Sequence, residues 1–528
     1  MSRAIPILPR AKNTVSRLAE WILAASGAAL LIAGALLVSV ERLPVRSIDI
    51  GDSCHTPVFV IDPPQQIYPR DKSVAWNTVV LHGLAANRRV MFPIGQELAR
   101  AGATVYLLDL PGEGNSTEEF SFANNDRCAA VAVAALARSG ALNLDRTVIV
   151  GHSLGGASAV YVARRLPRVA GTIALSPAPM VQLRHVPPNF LIESAQFDPP
   201  QLLAGARQLL ASAGGLRDTP ADFANRRAVG YAYESLALHG SVLFDPRVLR
   251  ITAHWSRESV GASASPPIET YHEMLAIAGV GMGLVGIVMI LPLSASSLCG
   301  AFGLAKSRGD SSGISDGLPA GQLFVRVAVC FGAAAALLIF GVPLRALHLY
   351  SADYVASLLS LSGLLLIVLL PVSLRVHARI DARSQCVSIV FALATMVAFG
   401  LWFNWQVTTF LPSGGRAWRL LPLALATWPF FAAEELALGS PSVSRRRARW
   451  LIFIGIRATL LAAMVLGYFG FANGVFLPIL LSPFMLAISI LQRWGSDLLR
   501  SRGGGAIAAS TFNAILAAWF FAAVFPLQ

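Results

Sequence analysis

The sequence predicts two structural classes in one chain: a mostly parallel, doubly wound α/β domain, and an all-α bundle that crosses a membrane many times. Three observations predict it. The 528 residues are 55% hydrophobic and only 13% charged, where soluble domains carry about 25% charge. From Met274 onward, long apolar stretches follow one another with short Arg-bearing gaps. Between these and an earlier apolar run at Trp21–Val40, residues 50–262 are charged throughout and alternate β-rich and helical patterns. The expected divisions are 1–46 (cytoplasmic tail and anchor helix), 47–262 (α/β domain) and 263–528 (about eight transmembrane helices).

The first element follows from length. Arg3, Arg10, Lys12 and Arg17 precede Trp21–Val40, which is uncharged and apolar. About 20 such residues span a bilayer. A signal peptide has an apolar core of about 7–15 residues and a small-residue cleavage site. This run is longer, and Ser39-Val40-Glu41 is a poor site, so an uncleaved anchor is expected.

Next come the β-rich runs Thr78–Leu81, Thr104–Leu108, Thr147–Val150 and Thr172–Leu175. Helical patterns at Pro93–Ala101, Arg127–Ser139 and Ala157–Leu166 separate them. β and α alternating at this spacing imply a parallel sheet covered on both faces.

The apolar C-terminal half predicts helices at 274–295, 323–344, 354–374, 385–410, 420–438, 450–472, 474–491 and 505–527. With the N-terminus inside, the inside loops hold Lys306 and Arg308; Arg375, Arg379 and Arg383; Arg445, Arg446, Arg447 and Arg449; and Arg493, Arg500 and Arg502. The short outside loops hold only Arg416 and Arg419. This alternation follows the positive-inside rule. It predicts a multi-pass protein of the plasma (inner) membrane, with nine helices and the α/β domain outside the cytoplasm. Topology thereby accounts for the net charge of +13, and lipid rather than nucleic acid is the expected partner. Glu434 and Glu435 fall inside an apolar stretch. Ionisable residues there are costly and often functional, but a helix-end carboxylate paired with arginine is the plainer expectation.

The five cysteines include no CxxC pair and no metal-ligand spacing, so neither metal nor cofactor is expected. Cys299, Cys330 and Cys386 lie in apolar runs as packing residues. Cys54 and Cys128 fall in the α/β segment and could pair if it lies outside the cytoplasm.

The chemistry begins at Thr147-Val148-Ile149-Val150-Gly151-His152-Ser153-Leu154-Gly155-Gly156, a β-rich run, a G-x-S-x-G turn and a helix start. Such a turn strains the backbone and lifts the serine hydroxyl above the sheet, with glycines on either side to prevent clashes. The plainer alternative is a tight turn with an inert serine. Upstream, Leu81-His82-Gly83-Leu84 ends a strand. Asp109-Leu110-Pro111-Gly112-Glu113-Gly114-Asn115-Ser116 follows the next one.

These three motifs, in this order, resemble the α/β-hydrolases of the esterase, lipase and serine-aminopeptidase branch. The resemblance covers about 200 residues and excludes the C-terminal helices. It implies an oxyanion loop at His82-Gly83, with the backbone N–H groups of Leu84 and Leu154 facing the developing oxyanion. His82 itself would shape the loop. The third motif resembles the family's D-x-P-G-H-G-x-S turn. Glu113 stands where histidine is usual, and because that turn is structural the departure should matter little to activity.

In this family the order is Ser, then Asp or Glu, then His. Pro188–Asp198 resembles the strand and turn that bear the acid, which points to Asp198. Glu193 is its rival, or else a surface charge at a strand end. Of the later histidines, His239 resembles the base in the loop after the last strand. His254 falls in a helical pattern, and His272 adjoins the membrane. Only Met180–Pro188 occupies the gap where many relatives carry a lid, so a shallow, open site is expected unless the transmembrane part covers it.

The expected activity is hydrolysis of an acyl ester, a lipid ester among the candidates, or of a thioester or small amide. Ser153, His239 and Asp198 would act through an acyl-enzyme. Two alternatives are a transporter or sensor with a ligand-binding hydrolase-like ectodomain, and an acyltransferase using the same three residues. Oligomeric state has no signal in the sequence.

Overall fold

The computed structural model describes residues 10–528 apart from 52, 66–75, 180–182, 184, 216–220, 263–267, 305–317, 341–345, 377–379, 413, 440–445 and 472–475. Lys306, Arg308, Arg379 and Arg445, counted in the basic loops above, lie outside the described residues, as does Met180. The chain divides into two compact units. One holds residues 36–280, 403–410 and 526–528; the other holds 1–35, 281–402 and 411–525.

The first unit is built on one eight-stranded sheet. In chain order its strands are β1 (Val45–Gly51), β2 (His55–Ile61), β3 (Trp76–Leu81), β4 (Ala103–Leu108), β5 (Thr147–His152), β6 (Gly171–Leu175), β7 (Phe190–Phe197) and β8 (Val229–Leu238). Their spatial order is β1-β2-β4-β3-β5-β6-β7-β8. The β1–β2 and β2–β4 pairs are antiparallel, and every later pair is parallel. Helices α2 (Phe92–Arg100), α3 (Phe122–Arg138), α4 (Leu154–Arg165), α5 (Pro200–Ser212) and α6 (Pro246–Ser259) connect the strands. Helix α1 (Arg10–Glu41) precedes the sheet.

Strand periodicity sorts the core into two layers. Val80, Val105, Leu107, Val148 and Val150 pack with Leu98 and Leu249 from α2 and α6. Their alternates Val79, Leu81, Tyr106, Leu108 and Ile149 pack with Val133 and Val162 from α3 and α4. The central strands are therefore buried on both faces, as covered parallel sheets require. This corrects the surface role considered for Glu193. It lies in β7, fully buried, and accepts a hydrogen bond from Thr252 Oγ1 on α6 at 3.1 Å.

Residues distant in sequence complete this unit. Asn87 Nδ2 donates to Thr408 Oγ1 at 2.6 Å. The Leu527 N–H donates to the Gly112 carbonyl at 2.8 Å, and the Phe120 N–H donates to the Leu527 carbonyl at 2.8 Å. Gly112 has a φ of +75°, and a Cβ there would stand 2.5 Å from the Leu527 oxygen. Only glycine fits this bridge. Cys54 and Cys128 are joined in a disulfide, with Cα atoms 5.5 Å apart.

Glu97 on α2 is 1% exposed, and neither of its carboxylate oxygens has a hydrogen-bond partner among the described residues. Burial lifts its carboxyl to about 7; Arg100 opposes the rise, Glu273 adds to it, and Arg257 and Arg250 oppose it weakly. The folded state thus holds a proton that the unfolded chain, at about 4.5, has already released. Stability is fully present below pH 4.5, falls as pH rises through about 7, and is level above. Glu97→Gln removes the charge. Its melting temperature in detergent should match wild type near pH 5 and exceed it at pH 8, where ionised Glu97 costs about 3 kcal/mol. A constant difference across this range would show that Glu97 does not titrate there.

The second unit is helical. In chain order the helices after α6 are α7 (Tyr271–Ala301), α8 (Ala320–Phe340), α9 (Ala352–Leu369), α10 (Val372–Val376), α11 (Ala382–Gln406), α12 (Leu420–Leu438), α13 (Arg446–Phe471), α14 (Phe476–Leu480), α15 (Ser482–Ser501) and α16 (Ala506–Val524). Among the described residues, eight helices are long and apolar enough to cross a membrane: α1, α7, α8, α9, α11, α12, α13 and α16. Helix α9 stops before Pro371, with Leu370 in the extended conformation that a following proline favours. The helix expected at 474–491 is instead two pieces, α14 and α15, with Pro483 opening the second. Helix α15 is more polar than the others. Its Arg493 pairs with Glu435 at 2.7 Å, and its Arg500 pairs with the same carboxylate at 3.0 Å. Glu434 meets Arg457 on α13 at 2.7 Å. Glu434 and Glu435 are thus buried and paired with arginines of other helices. Cys299 and Cys330 are buried, whereas Cys386 is exposed rather than a packing residue.

Candidate active site

The site is assembled at the carboxyl ends of β3, β5, β6, β7 and β8. Strand β5 runs directly into α4, and Ser153 stands at the junction with φ +55° and ψ −117°. A non-glycine residue pays for this conformation in strain. Close approach is what demands glycine nearby: a Cβ on Gly151 would stand 1.9 Å from the Gly155 carbonyl oxygen. The turn presents the Ser153 hydroxyl rather than burying it in a helix.

His239 directly follows β8, and Asp198 directly follows β7. Ser153 Oγ lies 3.0 Å from His239 Nε2. His239 Nδ1 lies 2.7 Å from Asp198 Oδ1. The second Asp198 oxygen accepts from Ser176 Oγ at 2.7 Å and from the Ala195 N–H at 2.9 Å. Burial pushes the Asp198 carboxyl up, but hydrogen bonds and the His239 charge outweigh burial and hold it below its ordinary value. An ionised Asp198 fixes the His239 proton on Nδ1, leaving the Nε2 lone pair for the Ser153 hydroxyl.

The His82–Leu84 loop passes against Ser153. A Cβ on Gly83 would stand 3.0 Å from Ser153 Cβ, and one on Gly155 would stand 2.4 Å from the Leu81 carbonyl oxygen. Leu84 therefore belongs to a loop beside Ser153, and Leu154 opens α4 on its other side. His82 Nε2 accepts from the Leu110 N–H at 2.9 Å, and its Nδ1 is 2.8 Å from the Gly83 carbonyl. Both contacts hold only for neutral imidazole protonated on Nδ1, and burial pulls its pKa down accordingly.

The alternatives considered for acid and base stand elsewhere. His254 is on α6 with its side chain 70% exposed, 4.0 Å from Glu258. His272 contacts Glu41 at 2.6 Å. Asp198, not Glu193, meets His239. Ser153 is 8% and His239 9% exposed.

Three further residues support this arrangement. His152 Nε2 donates to the His239 carbonyl at 2.9 Å, and burial, then the neighbouring His239, lowers its pKa to about 3. It is a neutral brace on the His239 loop. The signal was its place inside the pentapeptide, where a strand-end side chain must point under the site. Ser176, with φ +42°, braces Asp198 from the end of β6. Glu113, expected to matter little, accepts from the Ala85 and Ala86 N–H groups at 2.8 Å each. Its signal was a carboxylate in place of histidine in an otherwise recognisable turn. Among the described residues no group of three or more His, Cys, Asp or Glu could hold a metal ion.

Residues 78–282 match the Alpha/beta hydrolase family. The chain carries an α/β-hydrolase domain. Over 101 residues this domain is 35% identical to the pimeloyl-[acyl-carrier protein] methyl ester esterase of Xylella fastidiosa strain 9a5c, covering 19% of this chain and 36% of that protein. The strain M12 protein of the same description is 36% identical over 102 residues. The chain thus spans about a third of the length of the curated relatives it matches, 36% in each case. Among solved structures, an esterase from the archaeon Pyrobaculum calidifontis is 19% identical with a TM-score of 0.33, covering 48% of this chain and all of that one. A soluble variant of the monoglyceride lipase of Saccharomyces cerevisiae is 11% identical with a TM-score of 0.32, covering 41% of this chain and 96% of that one. The hydrolase domain has esterase-like homologues, and its sheet is the mostly parallel one expected.

Proposed function

We propose that this chain is a membrane-anchored serine esterase. The observation that carries the reading is the hydrogen-bonded series Ser153 Oγ, His239 Nε2, His239 Nδ1 and Asp198 Oδ1, with steps of 3.0 and 2.7 Å. Ser153 Oγ attacks the ester carbonyl carbon while His239 Nε2 takes the hydroxyl proton. The carbonyl oxygen becomes an oxyanion beside the Leu84 and Leu154 N–H groups. Asp198 stabilises the imidazolium. The C–O bond then breaks, and the leaving alcohol takes the proton from His239. Water repeats the sequence on the acyl-enzyme and releases the acid. No cofactor enters these steps.

An apolar acyl group is the substrate class this reading favours. Phe197 and Leu238, adjoining Asp198 and His239, are 52% and 55% exposed, and Leu236 is 81% exposed. The two Xylella fastidiosa relatives are pimeloyl-[acyl-carrier protein] methyl ester esterases. The test is a fluorophosphonate probe followed by peptide mapping, then a panel of acyl esters of graded chain length. Phosphonylation at a residue other than Ser153 overturns the reading.

The same reading places the hydrolase domain outside the cytoplasm. A Cys54–Cys128 disulfide suits an oxidising compartment. Parity bears on the number of crossings. Residues 403–410 and 526–528 share the hydrolase unit, so an even number of crossings separates them. Helices α12, α13 and α16 supply three, and the α14–α15 pair supplies the fourth, which restores nine crossings. Thr117 and Ala382 are exposed. In a chain lacking Cys299, Cys330 and Cys386, an impermeant maleimide on intact cells should label Thr117→Cys and reach Ala382→Cys only after permeabilisation. The opposite pattern inverts the orientation.

A further inference from the structure

We propose that Glu113 is a positioning residue that sets the oxyanion loop, an inference resting on the serine-esterase reading above. Glu113 is 1% exposed, yet one of its oxygens accepts from the Ala85 N–H and the other from the Ala86 N–H, each at 2.8 Å. Ala85 has φ +59°. Successive N–H groups around a left-handed residue converge to form an anion-binding nest. Here the nest is filled from within the chain, by a carboxylate whose two oxygens match its two donors.

The consequence falls on Leu84. Fixing the Ala85 and Ala86 N–H groups fixes the two peptide planes that follow Leu84. On the other side, Gly83 is pressed against Ser153. Leu84, between these two anchors, therefore has little freedom to move relative to Ser153. The turn that carries Glu113 is itself held firmly. Asp109 accepts from the Arg88 N–H at 2.8 Å and the Asn115 N–H at 2.9 Å, and the Arg88 guanidinium stands 3.3 Å from it. Gly114 has φ +56°, and a Cβ there would lie 2.3 Å from the Asp109 carboxyl carbon. The loops at 82–88 and 109–116 thus form one braced pair, with Glu113 as the link nearest Leu84.

The sign of the effect separates positioning from charge. A carboxylate near a developing oxyanion opposes it, so a purely electrostatic role means that removing Glu113 speeds turnover. Positioning means that removal slows it.

The experiment uses the full chain in detergent, with p-nitrophenyl butyrate as substrate. Active sites are counted by fluorophosphonate labelling carried to completion. For Glu113→Ala, kcat per labelled site should fall roughly 10- to 100-fold, below the loss for deleting an oxyanion donor outright, with KM within about threefold. Glu113→Gln keeps one acceptor and turns an amide NH2 toward the other N–H, so its kcat should fall between those of wild type and Glu113→Ala. Unchanged or raised kcat per labelled site, with only the labelled amount or melting temperature reduced, overturns the inference. If the alanine variant does not accumulate, unchanged kcat per site in Glu113→Gln overturns it equally. A wild-type chain that takes no probe removes the serine-esterase reading, and this inference with it.

Discussion

Ser153→Ala should abolish fluorophosphonate labelling and lower ester turnover by about six orders of magnitude, the scale seen when a serine hydrolase loses its nucleophile. What remains is the acceleration supplied by binding and by oxyanion donors. The substitution deletes one oxygen. The Cβ stays, so the φ of +55° is no worse tolerated than before. Apart from the Oγ contact with His239, the bonds named for residue 153 are backbone bonds: its N–H donates to the Leu175 carbonyl at 2.8 Å, and its carbonyl accepts from the Gly156 and Ala178 N–H groups. These backbone bonds persist in the variant. Membrane insertion, yield and melting temperature should therefore match wild type. Undiminished labelling of the alanine variant moves the nucleophile elsewhere.

His239→Ala should cost about four to six orders of magnitude in kcat, and His254→Ala less than twofold. The difference follows from contacts. Among the described residues His239 is the group placed to take the Ser153 proton, at 3.0 Å, and it carries the link to Asp198. His254 is largely in solvent on α6, at the limit of contact with Glu258, and exposed pairs of this kind contribute little. Both variants keep the sheet intact, because the β8 carbonyl and N–H ladder does not use the imidazole. Rates should be compared per folded molecule, judged by melting and by size-exclusion profile. A large loss for His254→Ala with little for His239→Ala reassigns the base.

Much of the hydrolase fold could be read because strand chemistry is local. Val79, Val80, Ile149 and Val150 are β-branched, sit in uninterrupted apolar runs, and are bounded by turns. The nucleophile turn could also be read, since Gly151 and Gly155 answer to steric contacts within a few residues of Ser153. Asp198 and His239 were approachable only through chain order and family likeness. Their meeting depends on two strand ends separated by 41 positions. Contacts between separate loops carry no local pattern. The Glu113 clasp on Ala85 and Ala86 joins loops 28 and 27 positions apart, so the carboxylate in place of histidine marked the position but not its partners. Glu193 misled for a similar reason: a charge at a strand end suggests solvent, but Thr252 on a later helix covers it. In the bundle, Arg493 and Arg500 resemble loop residues until α15 is seen to carry them against Glu435.

The bridge between Leu527 and the Gly112–Phe120 segment has a consequence for biogenesis. Gly112 leaves the ribosome long before Leu527; at about 5–20 residues per second, the interval is on the order of half a minute. For most of that interval, once Leu238 has emerged, the sheet can form, because none of its eight strands lies beyond Leu238. The Leu527 bonds to Gly112 and Phe120 must wait for every later helix to be synthesised and inserted. The segment they brace is the one that carries Glu113. Assembly of the hydrolase domain is therefore a two-stage event, an early sheet and a late fastening, and the fastening arrives only after α16 has been made.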